Sequence, residues 1–150
     1  MKIDNSILAK FQMIGTRIVS LNIKNDSLSS DIISHGKKNL EISHEIVSVE
    51  LHESNLLIGA VQLHISVRVV FDKAKFSLKL VLEGGFSAPP EMGDEMFRRM
   101  LSLNGIASLY GIARAQILSI TSQSFADGSL ILPMIDVSRY SKDLAEKTSD

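Results

Sequence analysis

Three histidines, His44, His52 and His64, fall in neighbouring strand-like segments with Glu50 among them. Imidazoles and a carboxylate are donors from which a metal site can be assembled. Their spacing matches no tight ligand motif such as HExxH, so a solvated sheet face with scattered histidines is the expectation. "EGG" at residues 83–85 runs into neither GxGxxG nor GKS/T and reads as a strand end or bulge, not as a phosphate loop. No GxSxG elbow supports a nucleophilic serine. The chain has no cysteine, which removes thiol and disulfide chemistry. No catalytic residue, metal or cofactor is expected, and the chain does not read as an enzyme.

The elements around these residues are more informative. In "QLHISVRVVF", Leu63, Ile65, Val67 and Val69 alternate with His64, Ser66 and Arg68, the pattern of a strand buried on one side. "FSLKLVLEGG" repeats it with Phe76, Leu78, Leu80 and Leu82. "EISHEIVSVELH" sets Val47, Val49 and Leu51 against Ser48, Glu50 and His52, with Ile42 and Ile46 out of phase. "TRIVSLNIK" places Val19, Leu21 and Ile23 on one face. Asp72-Lys73-Ala74 and the segment from Ser54-Asn55 supply hairpin turns, and residues 25–39 read as a polar crossover loop. The spacing predicts a four-stranded antiparallel sheet with one wet face.

After the sheet the pattern becomes helical. "APPEMGDEMFRRML" starts a first helix, with Asn104-Gly105 as its stop. A second, from about Gly105 to Gln123, is expected to be buried all round. Arg114 is the one charge between residues 100 and 126, and Ile106, Leu109, Ile112, Ile117 and Ile120 go around the cylinder. One sheet covers one face of such a helix, so these five residues are assigned to an interface with another copy of the chain.

Two apolar features remain. Met92, Met96 and Met100 recur every four residues, where core packing is the ordinary expectation and an adaptable binding surface the sharper one. "SFADGSLILPMID", residues 124–136, follows an Asp127-Gly128 turn signal with six uncharged residues, Leu130 to Ile135, among them Pro133, which cannot serve a central strand. By itself this connector reads as a lid folded on the core.

With 150 residues, 16 basic and 17 acidic side chains and a net charge of −1, the chain suits one domain and gives no sign of a nucleic-acid partner. No apolar run approaches the ~20 residues of a membrane span or forms a signal peptide. A single domain over residues 1–150 in the cytoplasm is expected, with residues 1–10 and 145–150 frayed.

The order of sheet, Gly-Gly-Phe, helix, Leu-Pro connector and short terminal helix resembles the SecB family of export chaperones. The stretch "LYGIARAQILSITSQSFADGSLILPMID" carries the resemblance, with Leu109, Ala113, Arg114, Ile117, Gly128, Leu132 and Pro133 at the positions of the family pattern. "LEGGF" resembles the end of the family's fourth strand. Gly111 and Ala115 stand where the family usually has Pro and Glu. The resemblance implies an α+β fold, a sheet followed by a long and a short helix, assembling as a dimer of dimers. It also implies an ATP-independent holdase for unfolded polypeptides, either preproteins or the antitoxin of a toxin–antitoxin pair.

In that reading Leu130, Ile131, Met134 and Ile135 line the client groove, and Met92, Met96, Met100 and Tyr110 contribute to its floor. Successive side chains of an extended segment alternate. Leu132 is therefore assigned to the helix, and Ile131 and Ile135 to the client. SecA is the family's motor partner. An outer sheet face of Ser20, Asn22, Gln62, Arg68 and Lys79, with Glu50 and Glu83 as its main acids, predicts weak, salt-sensitive binding of it. A different class stays open, a small hydrophobic-ligand protein or hot-dog-like acyl hydrolase, although there the helix lies early within the strand order. A plain assembly subunit is the third.

Overall fold

A computed structural model of the chain describes residues 9–29, 31–125, 128–140 and 142. The alternating segments form four long strands, β1 (Gln12–Asn25), β2 (Lys37–Leu51), β3 (Leu57–Phe71) and β4 (Ala74–Ala88). All neighbours are antiparallel in the order β1-β4-β3-β2. The central strands carry the wall of the core: Val61, Leu63, Ile65, Val67 and Val69 from β3 with Phe76, Leu78, Leu80, Leu82 and Phe86 from β4. Asn55 and Asp72, both with positive φ, turn the two hairpins.

The edge strands differ from the simple alternation because each is bulged. In β2 the register shifts between Ile46 and Ser48. Leu40, Ile42, His44 and Ile46 therefore share the helix side with Val49, while Val47 and Leu51 are exposed. In β1 a shift between Ile18 and Ser20 leaves Val19 on the bulge and puts Ile18 in phase with Leu21 and Ile23. An extra residue reverses the phase of everything beyond it. The Gly-Gly pair is no strand end: Gly84 and Gly85 lie within β4, and the irregularity opposite them belongs to β1, between Met13 and Gly15.

The connection from β1 to β2 must cross from one sheet edge to the other. It is not a plain polar loop. Asp31–His35 forms a short helix, α1, whose Ile32 and Ile33 are buried against the core. The expected frayed ends fall, apart from Ala9 and Lys10, outside the described residues, as does Asp127.

The expected break at Asn104-Gly105 is absent. A 3-10 turn (Pro90–Met92) leads to α2 (Asp94–Met100), one π-helical turn (Leu101–Gly105) and α3 (Ile106–Ser124) without a stop. Gly105 keeps helical angles (φ −60°) within the continuous helix, and a Cβ there would meet Phe86 and Val61 at ordinary contact distance, so it neither caps the helix nor is required by packing. The sheet answers with its own glycines. A Cβ on Gly59 would lie 2.8 Å from Phe97 Cε1, and one on Gly84 2.8 Å from Leu109 Cδ2.

α3 buries one stripe, Ile106, Leu109, Tyr110, Ala113, Ile117 and Thr121. Its outer face is small and uncharged, with Leu118 exposed. Serine hydroxyls there turn back on the helix: Ser108 donates to the Asn104 carbonyl and Ser122 to that of Ser119. The helix is therefore not surrounded by core. Ile106, Leu109 and Ile117, assigned above to an interface, are fully buried against the chain's own sheet. Ile112 and Ile120 are half-buried and remain available.

Replacing Gly59 with Val is expected to push Phe97 and Leu101 off the sheet. Overpacking of this kind costs about 1–3 kcal/mol, read as a lower urea midpoint with an unchanged slope.

Candidate functional site

The connector after α3 is extended, and its backbone is tied to the helix by side chains. The Leu130 amide donates to Thr121 Oγ1 at 2.8 Å. Arg114 Nε donates to the Leu132 carbonyl at 3.0 Å, and the Tyr110 hydroxyl to the Pro133 carbonyl at 2.8 Å. Thr121 passes its own proton to the Ile117 carbonyl at 2.7 Å, so this fully buried hydroxyl has a donor and an acceptor partner. The tethers stand at positions 110, 114 and 121, one or two helical turns apart, and meet an extended chain running the opposite way.

This fixes the parity of the connector. Leu130 and Leu132 point into the core and are 2% exposed; Ile131 is 68% and Met134 79% exposed. The expected inward Leu132 and outward Ile131 are observed. Ile135 departs from the expectation, because beyond Pro133 it packs, half-buried, on the core. Met134 is steadied by Arg114, whose Nη1 lies 2.9 Å from its sulfur.

The remaining residues assigned to the groove divide by burial. Tyr110 and Leu130 are core residues and cannot line an open surface. Met92 is partly buried on the core and precedes Gly93, whose φ of 76° separates it from α2, so the three methionines do not share one helix face. Met100 is half-buried. Met96, Ile131 and Met134 are the exposed members. Arg114 stood out in the sequence as a lone charge, but Thr121 carried no signal: a threonine in a serine-rich helix looks like any other hydroxyl.

Past the connector Asp136 caps a helical turn at residues 137–140, accepting from the Arg139 amide at 3.1 Å. That amide, followed by the Ser138 hydroxyl, holds the Asp136 carboxyl below its usual range. Tyr140 reaches the helix side of β2, where its hydroxyl lies 3.1 Å from His44 Nδ1. Burial pushes the His44 pKa down and the Tyr140 pKa up.

The histidines do not share a face. His44 is on the helix side, His64 is on the outer side 3.5 Å from Glu45, and His52 sits in a turn bonded to Ser54. Among the described residues no three His, Asp or Glu side chains could hold a metal ion. The outer face carries Ser20, Asn22, Gln62, Arg68, Lys79 and Glu83 as expected. Glu83 accepts from Arg17 Nε at 2.9 Å and Gln62 Nε2 at 2.7 Å. The Arg17 bond, then the Gln62 bond, keeps its carboxyl below the usual range.

Comparison with solved structures decides the architecture. The SecB-like chaperone Rv1957 of Mycobacterium tuberculosis, solved in complex with a ChAD peptide from the HigA1 antitoxin, superposes with a TM-score of 0.62. The match covers 85% of this chain and 91% of that one at 13% identity. The fold is SecB-like. A Streptococcus agalactiae protein of unknown function matches more loosely, with a TM-score of 0.46 and 11% identity over 83% of this chain and 97% of that one. No family model and no curated protein matches in sequence. Among the described residues of this SecB-like chain no helix is long and apolar enough to cross a membrane.

Thr121→Val is expected to strand the buried Leu130 amide and cost about 1–3 kcal/mol, measured by urea unfolding. His44 gives a pH test. Its folded pKa lies below the ordinary value of 6.5, so at intermediate pH the unfolded chain binds the extra proton. Its contribution is therefore complete above the ordinary value and is lost as pH falls toward the folded one. Stability of the parent should fall more between neutral and mildly acidic pH than that of His44→Leu; identical pH profiles would contradict this.

Proposed function

We propose that this protein is an ATP-independent holdase chaperone that captures non-native polypeptides along its connector. One observation carries the reading: Ile131 and Met134 are held out in water on a backbone that three side chains immobilise. Leaving large apolar side chains exposed forgoes about 1.5–3 kcal/mol each of possible burial. The tethers prevent the connector from turning them inward. A flexible thioether beside a branched aliphatic suits clients recognised by apolarity and not by sequence.

The SecB-like architecture supports the same reading, as does the antitoxin peptide bound by the Mycobacterium tuberculosis protein. A client here is a preprotein or an antitoxin in extended, unfolded form. Such clients lose conformational entropy on capture, so several sites must act together.

The proposed assembly is a homotetramer, a dimer of dimers, acting in the cytoplasm. Its contact surfaces are the apolar residues that α3 leaves uncovered: Met13, Ile18 and Leu21 on the helix side of β1 and Leu118 on α3, with half-buried Ile112 and Ile120. SecA, if it is a partner, binds weakly, because the outer sheet face mixes both charges.

Light scattering of a chemically unfolded client diluted with and without the protein tests this function. The parent protein should suppress aggregation without nucleotide. Ile131→Asp should lose much of that suppression while unfolding within about ±0.5 kcal/mol of the parent, as exposed substitutions do. Leu132→Asp should unfold, since it buries an unpaired charge. A monodisperse monomer of 16.5 kDa, or an Ile131→Asp protein that holds clients as the parent does, would contradict the proposal.

A further inference from the structure

The sheet face turned away from α3 carries a concavity of about 530 Å³ at the end nearest the Asp72 turn. Lys24, Arg68, Lys75 and Lys79 line it together with Asn22, Ser66 and Ser77, and Asp26 is the one carboxylate among the described residues of the lining. Among the described residues none of the four cations forms an ion pair. Nearby Glu41 accepts from Asn39 at 3.1 Å instead. A chain whose net charge is −1 thus gathers four unneutralised cations in one shallow trough.

Their placement follows from the strand register. Lys24, Ser77 and Arg68 stand in one rank across β1, β4 and β3, and Asn22, Lys79 and Ser66 in a neighbouring one. Lys75 lies one same-face step beyond Ser77 on β4. Along β4 the trough therefore meets Lys75, then Ser77 flanked by Lys24 and Arg68, then Lys79. Same-face positions of a strand repeat every ~6.8 Å, twice the rise per residue. Alternate side chains of any extended peptide repeat at the same distance. Ser66, Ser77 and Asn22 fill the spaces with hydrogen-bonding groups suited to a peptide backbone.

We propose that this trough binds an extended acidic polypeptide segment, with carboxylates at alternate positions facing the cation ranks. Among the described residues the lining offers no exposed aromatic face of the kind on which nucleic-acid bases stack: Phe76 contributes to the wall, but its side chain is fully buried on the other side of the sheet. The overall charge supplies no long-range attraction for a polyanion, so recognition rests on local complementarity. The trough lies on the opposite side of the sheet from the connector, and the proposal stands whether or not the connector holds clients.

Fluorescence anisotropy of a dye-labelled peptide of alternating Glu and Ser, titrated with the full chain at low salt (about 10 mM, where charges act over ~30 Å), tests it. Saturable binding that weakens as salt is added is expected. Arg68→Glu combined with Lys79→Glu should lower affinity at least about tenfold, a 1.4 kcal/mol change. Arg99→Glu, an exposed cation on α2, should leave affinity unchanged. Absence of binding at low salt, an equal loss in Arg99→Glu, or tighter binding of an oligothymidylate of equal charge would overturn the proposal.

Discussion

Thr121 receives the Leu130 amide proton, Arg114 donates to the Leu132 carbonyl, and Tyr110 donates to the Pro133 carbonyl. These bonds decide which connector side chains meet water. An extended segment of Leu, Ile, Leu, Pro, Met and Ile has two faces of similar apolarity, so hydrophobicity alone does not choose between them. Each tether contributes only about 0.5–1.5 kcal/mol net, but leaving a buried partner unmade costs about 1–3 kcal/mol. Sliding the connector by one residue would break all three at once and turn Leu130 and Leu132 outward. One parity is therefore fixed over residues 130–132, and Ile131 is displayed as its consequence; Met134 is exposed because the alternation breaks after Pro133.

The helix can offer these tethers because it lies close to the sheet. Gly59 and Gly84 let Phe97 and Leu109 approach the strand backbones, and the π turn carries the chain through Gly105 without a break. α3 then runs over β3 and β4, with its Tyr110–Arg114–Thr121 side toward the connector. The connector and the turn at Tyr140 extend the cover to β2, where His44 meets Tyr140. On the helix side of β1, Met13, Ile18 and Leu21 stay exposed, while Ile23 packs on the core. The same packing thus leaves two apolar surfaces of different character, a narrow displayed edge on the connector and a broader one on β1 and α3.

Much of this was legible in the sequence because period-two alternation in β3 and β4 is unbroken, so Leu63 through Val69 and Phe76 through Leu82 identify their own faces. β1 and β2 were harder. A bulge at Val19 or Val47 leaves no mark in composition, yet it reverses the phase, and Ile42 and Ile46 looked misplaced for that reason. Gly105 is ambiguous because glycine after asparagine suits a helix end as well as a helix interior, and only the unbroken run from α2 through the π turn to α3 decides between them. Burial of Ile32 and Ile33 was hidden by the polar residues around them. The absence of charge on α3 suggests burial on every side. Serines bonded to their own helix keep a solvent face uncharged without burying it. The inward Leu132 and outward Ile131 are readable from alternation, whereas Pro133 and Met134 are both exposed and the slipped alternation returns Ile135 to the core.

Whether clients lie on the edge fixed by these tethers can be read from methyl resonances of isotope-labelled methionine as an unfolded client is added. The Met134 signal is expected to shift or broaden to saturation while that of Met92, packed on the core, stays in place. A Met134 signal that is unchanged when the client is fully bound would contradict it.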